Sequence, residues 1–146
     1  MTALNYLLAG CVLQAASLHQ LPPELVVAII KVEGGIPGMM SRNRNNTEDL
    51  GVMQINSGAW LPVVAQAHFA NDRQAAYIRL RDDACYNVQV GTWILRQAID
   101  KAPNDFWKGV GYYHSTTPLY NQRYQKKVLS AWGQLFVGDR MRGKLD

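Results

Sequence analysis

The run "LVVAIIKV", Leu25 to Val32, constrains the fold most: it is apolar nearly all round and is closed by "EGG", Glu33 to Gly35. Pro22 and Pro23 suit a first helical turn, and Glu24 suits its positive end. A helix without a polar face belongs in the middle of a core. Gly34 and Gly35 are expected to end it. One carboxylate, Glu33, is left where the helix exits, between Val32 and Gly34.

The other segments predict a mainly α chain. "LNYLLAGCVLQAASL" carries apolar residues at Leu4, Leu7, Leu8, Cys11, Val12, Ala15 and Ala16, the spacing of an amphipathic helix. "IPGMMSRNRNNTED" reads as an irregular loop. "LGVMQIN" is short and β-prone, a small strand or a buried extended segment. Ser57 is expected to cap "GAWLPVVAQAHF". Asp82 and Asp83 are expected to open the longest helix, "ACYNVQVGTWILRQAIDKA", with Cys85, Val88, Thr92, Leu95 and Ile99 on one stripe. Asn104 should begin "DFWKGVGYYH", and Thr117 and Pro118 should start "LYNQRYQKKVLSAWGQLF". Residues 137–146 form a polar tail, so the domain is expected to span 1–136. Regular strand–helix alternation is missing, which argues against a doubly wound fold.

The chain has 146 residues, 48% of them apolar or aromatic, enough for one domain with a substantial core. A net charge of +4 suits an anionic polymer: nucleic acid, a membrane surface or the bacterial wall. Basic residues are scattered apart from Lys126–Lys127 and the tail, which speaks against nucleic acid. No apolar stretch reaches the roughly 18 residues of a membrane span. Cys11 and Cys85 lie 74 positions apart, without CxxC or Cys/His spacing, so no metal site is expected. They are either two buried thiols or a disulfide. "LLAGC", Leu7 to Cys11, looks like a lipoprotein cleavage site, but no Lys or Arg precedes it and its apolar lead is short for a signal peptide. It is read as part of the first helix.

Glu33 has two readings. Most glutamates at helix ends are simply solvated. A carboxylate at the mouth of an apolar cleft is instead partly desolvated, and its pKa rises. A rise from about 4.3 to about 6 corresponds to about 2.3 kcal/mol of preference for the neutral acid, enough to donate a proton near neutrality. The negative end of the helix pushes the same way, and adjacent glycines let a bulky ligand approach the backbone.

Glu33 is followed 18 residues later by "GVMQIN", Gly51 to Asn56, and then by "GVGYYHSTTP", Gly109 to Pro118. An acid at a helix end, a Gly-x-Met-Gln segment and a Tyr-rich helix end, in this order, resemble the soluble lytic transglycosylases of the SLT type, which have a lysozyme-like fold. The resemblance covers roughly Cys11 to Phe136. It is nearest to the small specialised members that accompany secretion systems, pili and conjugation machines, which carry "YHS" and "TP" near the third motif and a run like "CYNVQV" in the long helix.

The resemblance implies a lysozyme-like single domain with a minimal or absent sheet, and a role for each matching residue. Glu33 would be the sole catalytic acid/base. Gly51 would let the chain pass close to the sugar, and Met53 and Gln54 would line the cleft. The Tyr113 hydroxyl would point toward Glu33 or the sugar. His114 stands where many relatives have Asn and would bind substrate. The resemblance also favours a Cys11–Cys85 bridge. Met53 has an alternative as core packing, Gln54 as a partner for loop backbone groups, and Tyr112 is expected to pack. One departure stands out: the family usually has Ser directly after the acid, and here it is Gly34.

The implied reaction cuts peptidoglycan between N-acetylmuramic acid and N-acetylglucosamine and leaves a 1,6-anhydro end. Hydrolysis of lysozyme type would need a second carboxylate, for which Asp49 and Glu48 are the nearest candidates in sequence. A third reading is a wall-binding assembly factor with weak catalysis. The expected partner is the glycan strand, with a secretion, pilus or conjugation machine beside it. The chain is expected to be a monomer of the periplasm or cell envelope, without cofactor or nucleic acid.

Overall fold

A computed structural model of the chain describes residues 3–137. Its elements in order are α1 (Ala3–Leu18), α2 (Pro23–Glu33), β1 (Met40–Arg42), β2 (Glu48–Leu50), β3 (Ile55–Asn56), α3 (Ser57–His68), α4 (Arg73–Asp82), α5 (Ala84–Asp100), α6 (Phe106–Tyr112) and α7 (Pro118–Trp132), followed by a π-helical turn, Gly133–Val137. The expected mainly α, lysozyme-like architecture with a minimal sheet is what the chain adopts. Two compact units can be distinguished. The first takes the chain up to Cys11 and Glu33–Gly91; the second takes Val12–Val32 and the chain from Thr92 onward. The boundaries fall inside α1, α5 and the end of α2 rather than in a linker.

The first unit holds an antiparallel sheet of order β1-β2-β3. Met40 pairs with Leu50, Ser41 with Asp49 and Arg42 with Glu48; Asp49 and Leu50 then pair with Asn56 and Ile55. The segment expected to be an irregular loop is thus largely a hairpin. Its turn is closed by Asn43 N–H donating to Thr47 O at 2.8 Å, with Asn46 left-handed at φ 65°. The Asn45 side chain accepts from the Thr47 N–H at 3.1 Å, a bond that replaces apolar patterning as the turn signal.

Three helix starts differ from expectation. Asn56, not Ser57, caps α3, its side chain accepting from Ala59 N–H at 3.0 Å. Ser57 is the first helical residue, and its hydroxyl accepts from Glu48 N–H at 2.9 Å. Asp82 ends α4, so of the aspartate pair only Asp83 serves α5, accepting from Tyr86 N–H at 2.9 Å. Asp105, not Asn104, caps α6 through Lys108 N–H at 3.1 Å. Helix α4 was not anticipated. It is capped by Asp72 on Ala75 N–H at 3.0 Å and buries only Ala76 and Leu80. Cys11 and Cys85 form a disulfide within the first unit, Cα to Cα 5.3 Å.

In the second unit α2 buries Leu25, Val26, Ala28 and Ile29. Pro118 opens α7 after Thr117, whose side chain makes no capping bond. Asn121, 3% exposed, ties α7 to α6: its carboxamide donates to Lys108 O and Ser115 O, both at 3.1 Å. Gly111 leaves the space that carboxamide occupies. Val137 belongs to the π-helical turn; the rest of the expected tail, residues 138–146, lies outside the described residues. Among the described residues no helix is long and apolar enough to cross a membrane.

Candidate active site

Glu33 is the last residue of α2 and is partly buried. Gly34 follows in the left-handed region at φ 70°, a usual way to end a helix, with open space where a Cβ would go. Gly35 is buried. A Cβ there would collide with the Gly51 carbonyl and stand 2.6 Å from Val52 O. The backbone leaving Glu33 therefore rests directly on the backbone of the "GVMQ" segment.

That segment is a tight turn between β2 and β3. Gly51 is left-handed at φ 67°, Gln54 at φ 53°, and Gln54 N–H donates to Gly51 O at 3.1 Å. The Gln54 side chain folds back and donates from Nε2 to the same carbonyl at 2.9 Å. It thus satisfies loop backbone, the alternative weighed for it from sequence. Met53 is 0% exposed and sits against Gly91, where a Cβ would come within 3.0 Å of the Met53 Cβ and Cε atoms. It is a packing residue beneath the turn and presents no surface to a ligand.

The turn is held by a residue that sequence reasoning passed over. Asn87, 1% exposed, accepts from Met53 N–H and donates to Leu50 O and Leu80 O, each at 2.8 Å. Its signal was a polar residue inside the "CYNV" run of an otherwise buried helix stretch. Gly51 N–H donates to Met39 O at 2.9 Å, closing the turn from the other side.

The candidate second carboxylates are engaged in the sheet. Asp49 Oδ1 accepts from Asn43 Nδ2 at 3.1 Å and Asn56 Nδ2 at 3.0 Å. Glu48 accepts a hydrogen bond from the Tyr77 hydroxyl and faces Arg42 at 3.9 Å. Burial, then the Glu48 hydrogen bond and charge, push the Tyr77 hydroxyl above the usual tyrosine range. Arg42 and Arg44 are exposed.

Tyr113 and His114 belong to the second unit. Both rings lie against Tyr124 of α7, Tyr113 at 6.4 Å between centroids and His114 at 5.0 Å and nearly parallel. Tyr124 is 3% exposed, so it is a buried floor for the two rings. Of the remaining histidines, His68 Nδ1 bonds the Tyr86 hydroxyl at 2.7 Å. Burial, then the charge of Arg96, holds His19 below the usual imidazole range. Glu33, Asp49, Met53, Gln54 and the disulfide are thus gathered in the first unit, and Tyr113 and His114 in the second.

A helix ending in a half-buried acid above a Gly-x-Met-Gln turn, in a mainly α chain with a small antiparallel sheet, defines a class. The transglycosylase SLT domain family matches residues 10–129, and the chain belongs to that family. Among its relatives, invasion protein IagB of Salmonella typhimurium strain LT2 is 32% identical over 138 residues, 91% of this chain and 81% of IagB. The same protein name and figures apply in Salmonella typhi. A peptidoglycan-binding-like protein of Escherichia coli O157:H7 is 26% identical over 144 residues, 92% of this chain and 83% of its own length.

Proposed function

We propose that the protein is a peptidoglycan lytic transglycosylase that cleaves the β-1,4 bond between N-acetylmuramic acid and N-acetylglucosamine and leaves a 1,6-anhydro end. The observation that carries this reading is the main-chain seat of Gly35 on Gly51 and Val52, which joins the helix end bearing Glu33 to the Gly-x-Met-Gln turn. Membership of the SLT family supports it.

In the proposed reaction Glu33 protonates the bridging oxygen, and the bond opens through an oxocarbenium-like state. The 2-acetamido group offsets the positive charge. Glu33, now ionised, takes the proton from the muramic acid C6 hydroxyl, whose oxygen attacks C1. No water is consumed. One carboxyl group serves both steps because the form left by the first is the form the second needs. Tyr113 and His114 are proposed to bind the sugar through ring faces backed by Tyr124. Asp49 already accepts two amide hydrogen bonds, which makes it a poor candidate to activate water for hydrolysis. The finer placement, in the periplasm beside a secretion, pilus or conjugation machine, is part of the same proposal and rests on the resemblance carried by the sequence motifs. A domain spanning 1–136 is likewise proposed, and the family match over residues 10–129 supports it.

Mass spectrometry of digested peptidoglycan tests the reaction. Anhydro-muropeptides are expected; reducing ends would indicate a muramidase, and binding without products an assembly factor. Glu33→Gln should abolish turnover with an unchanged unfolding temperature. A folded variant that still cleaves at the parent's rate removes Glu33 from the mechanism.

A further inference from the structure

The surplus positive charge is unevenly placed. Among the described residues, the second unit has seven Lys and Arg against three Asp and Glu, while the first has five against six. Helix α7, "PLYNQRYQKKVLSAW", contains no acidic residue at all. Within the second unit a groove of about 550 Å³ is lined by Lys31, Val32, Lys126, Lys127, Ser130 and Gln134, with Ala131 beside them. The three lysines are exposed, and among the described residues none of them pairs with a carboxylate within 4 Å. The Lys31 ammonium instead donates to Gln134 Oε1 at 3.3 Å.

We infer that this groove binds the carboxylates of a peptide, namely the stem peptides that peptidoglycan carries on its muramic acid residues. The inference rests on the proposed action at the wall. Three ammonium groups around one concavity fit several separated anionic groups on a flexible chain. Ser130 and Gln134 supply polar partners for amides, and Val32 and Ala131 give a small apolar floor. A nucleic acid is disfavoured because the lining holds no aromatic side chain on which a base would stack. Lys31 and Val32 are also the two residues before Glu33 in α2, so the helix that ends in the acid contributes directly to the groove.

The test is calorimetric titration of the Glu33→Gln protein with the tripeptide L-Ala-γ-D-Glu-diaminopimelate and with its fully amidated analogue. The free-acid tripeptide should bind and weaken with added salt, and the amidated one should not bind. Combining Lys31→Gln, Lys126→Gln and Lys127→Gln should cost about tenfold in affinity. Lys101→Gln, Lys108→Gln and Arg123→Gln together remove the same formal charge outside the groove and should leave affinity unchanged. Equal binding of the amidated peptide, equal loss in both triple variants, or no binding of the tripeptide overturns the inference. So does groove-dependent binding to phosphatidylglycerol vesicles without tripeptide binding. Because no glycan and no turnover are involved, the outcome is independent of Glu33's chemistry, which product analysis decides separately.

Discussion

Asn87 accepts the Met53 backbone N–H at 2.8 Å and so fixes the turn that follows Leu50 to helix α5. Two more bonds from the same carboxamide, to Leu50 O and Leu80 O, leave it fully engaged on both faces. Replacing Asn87 with Leu should orphan a buried N–H and two carbonyls. Unfolding free energy should fall by about 2–4 kcal/mol. Chemical denaturation of the purified variant measures this, and a loss under 1 kcal/mol would show that the turn stands without its bracket.

The glycines around Glu33 should differ sharply in tolerance. At Gly51 an added Cβ meets Asn87 Nδ2 at 2.5 Å and Leu80 O at 2.6 Å, on a left-handed backbone. Gly51→Ala should cost more than about 2 kcal/mol. Gly34 is also left-handed but faces open space, so Gly34→Ser, which restores the usual family residue, should cost only about 1 kcal/mol. Thermal unfolding of the two variants side by side checks the order.

The disulfide joins residues 74 positions apart. Loop entropy predicts that its removal destabilises the chain by up to about 4 kcal/mol. The Cys11→Ser, Cys85→Ser double variant should unfold at clearly lower denaturant than the oxidised protein. Coincident midpoints would mean that the bridge constrains nothing the fold needs.

His19 gives stability a defined pH dependence. Its folded-state pKa lies below the ordinary 6.5, chiefly because of burial and secondly because of Arg96. As pH falls through 6.5 the unfolded chain takes up a proton that the folded chain resists, so stability declines and then levels off below the folded pKa. Unfolding temperatures between pH 7.5 and 5 should show this decline, and His19→Gln should flatten it.

Much of the fold could be read where burial and pattern coincide. Leu25 to Val32 announced a helix and Gly34 its end, though burial falls on one face, Leu25, Val26, Ala28 and Ile29, rather than all round. Helix α4 gave little sign, because only Ala76 and Leu80 are buried and most of its other positions are polar. The hairpin of β1 and β2 was hidden for a similar reason: its turn is made by Asn43, Asn45 and Thr47 through side-chain hydrogen bonds, with no apolar alternation to mark the strands. At the candidate site, Glu33 and the Gly-x-Met-Gln turn were legible as motifs. The part played by Asn87 was not, since its bonds reach back 34 and 37 positions to Met53 and Leu50, a relation that no local pattern encodes. The cysteine pairing was likewise open on spacing alone.

Where Gly35 lies on Gly51 and Val52, two stretches of peptide touch with nothing between them. Peptide planes have no rotamers to sample, so the reach from the helix end to the turn is as stiff as the main chain itself. A carboxyl group mounted there has only its own few torsions left to search.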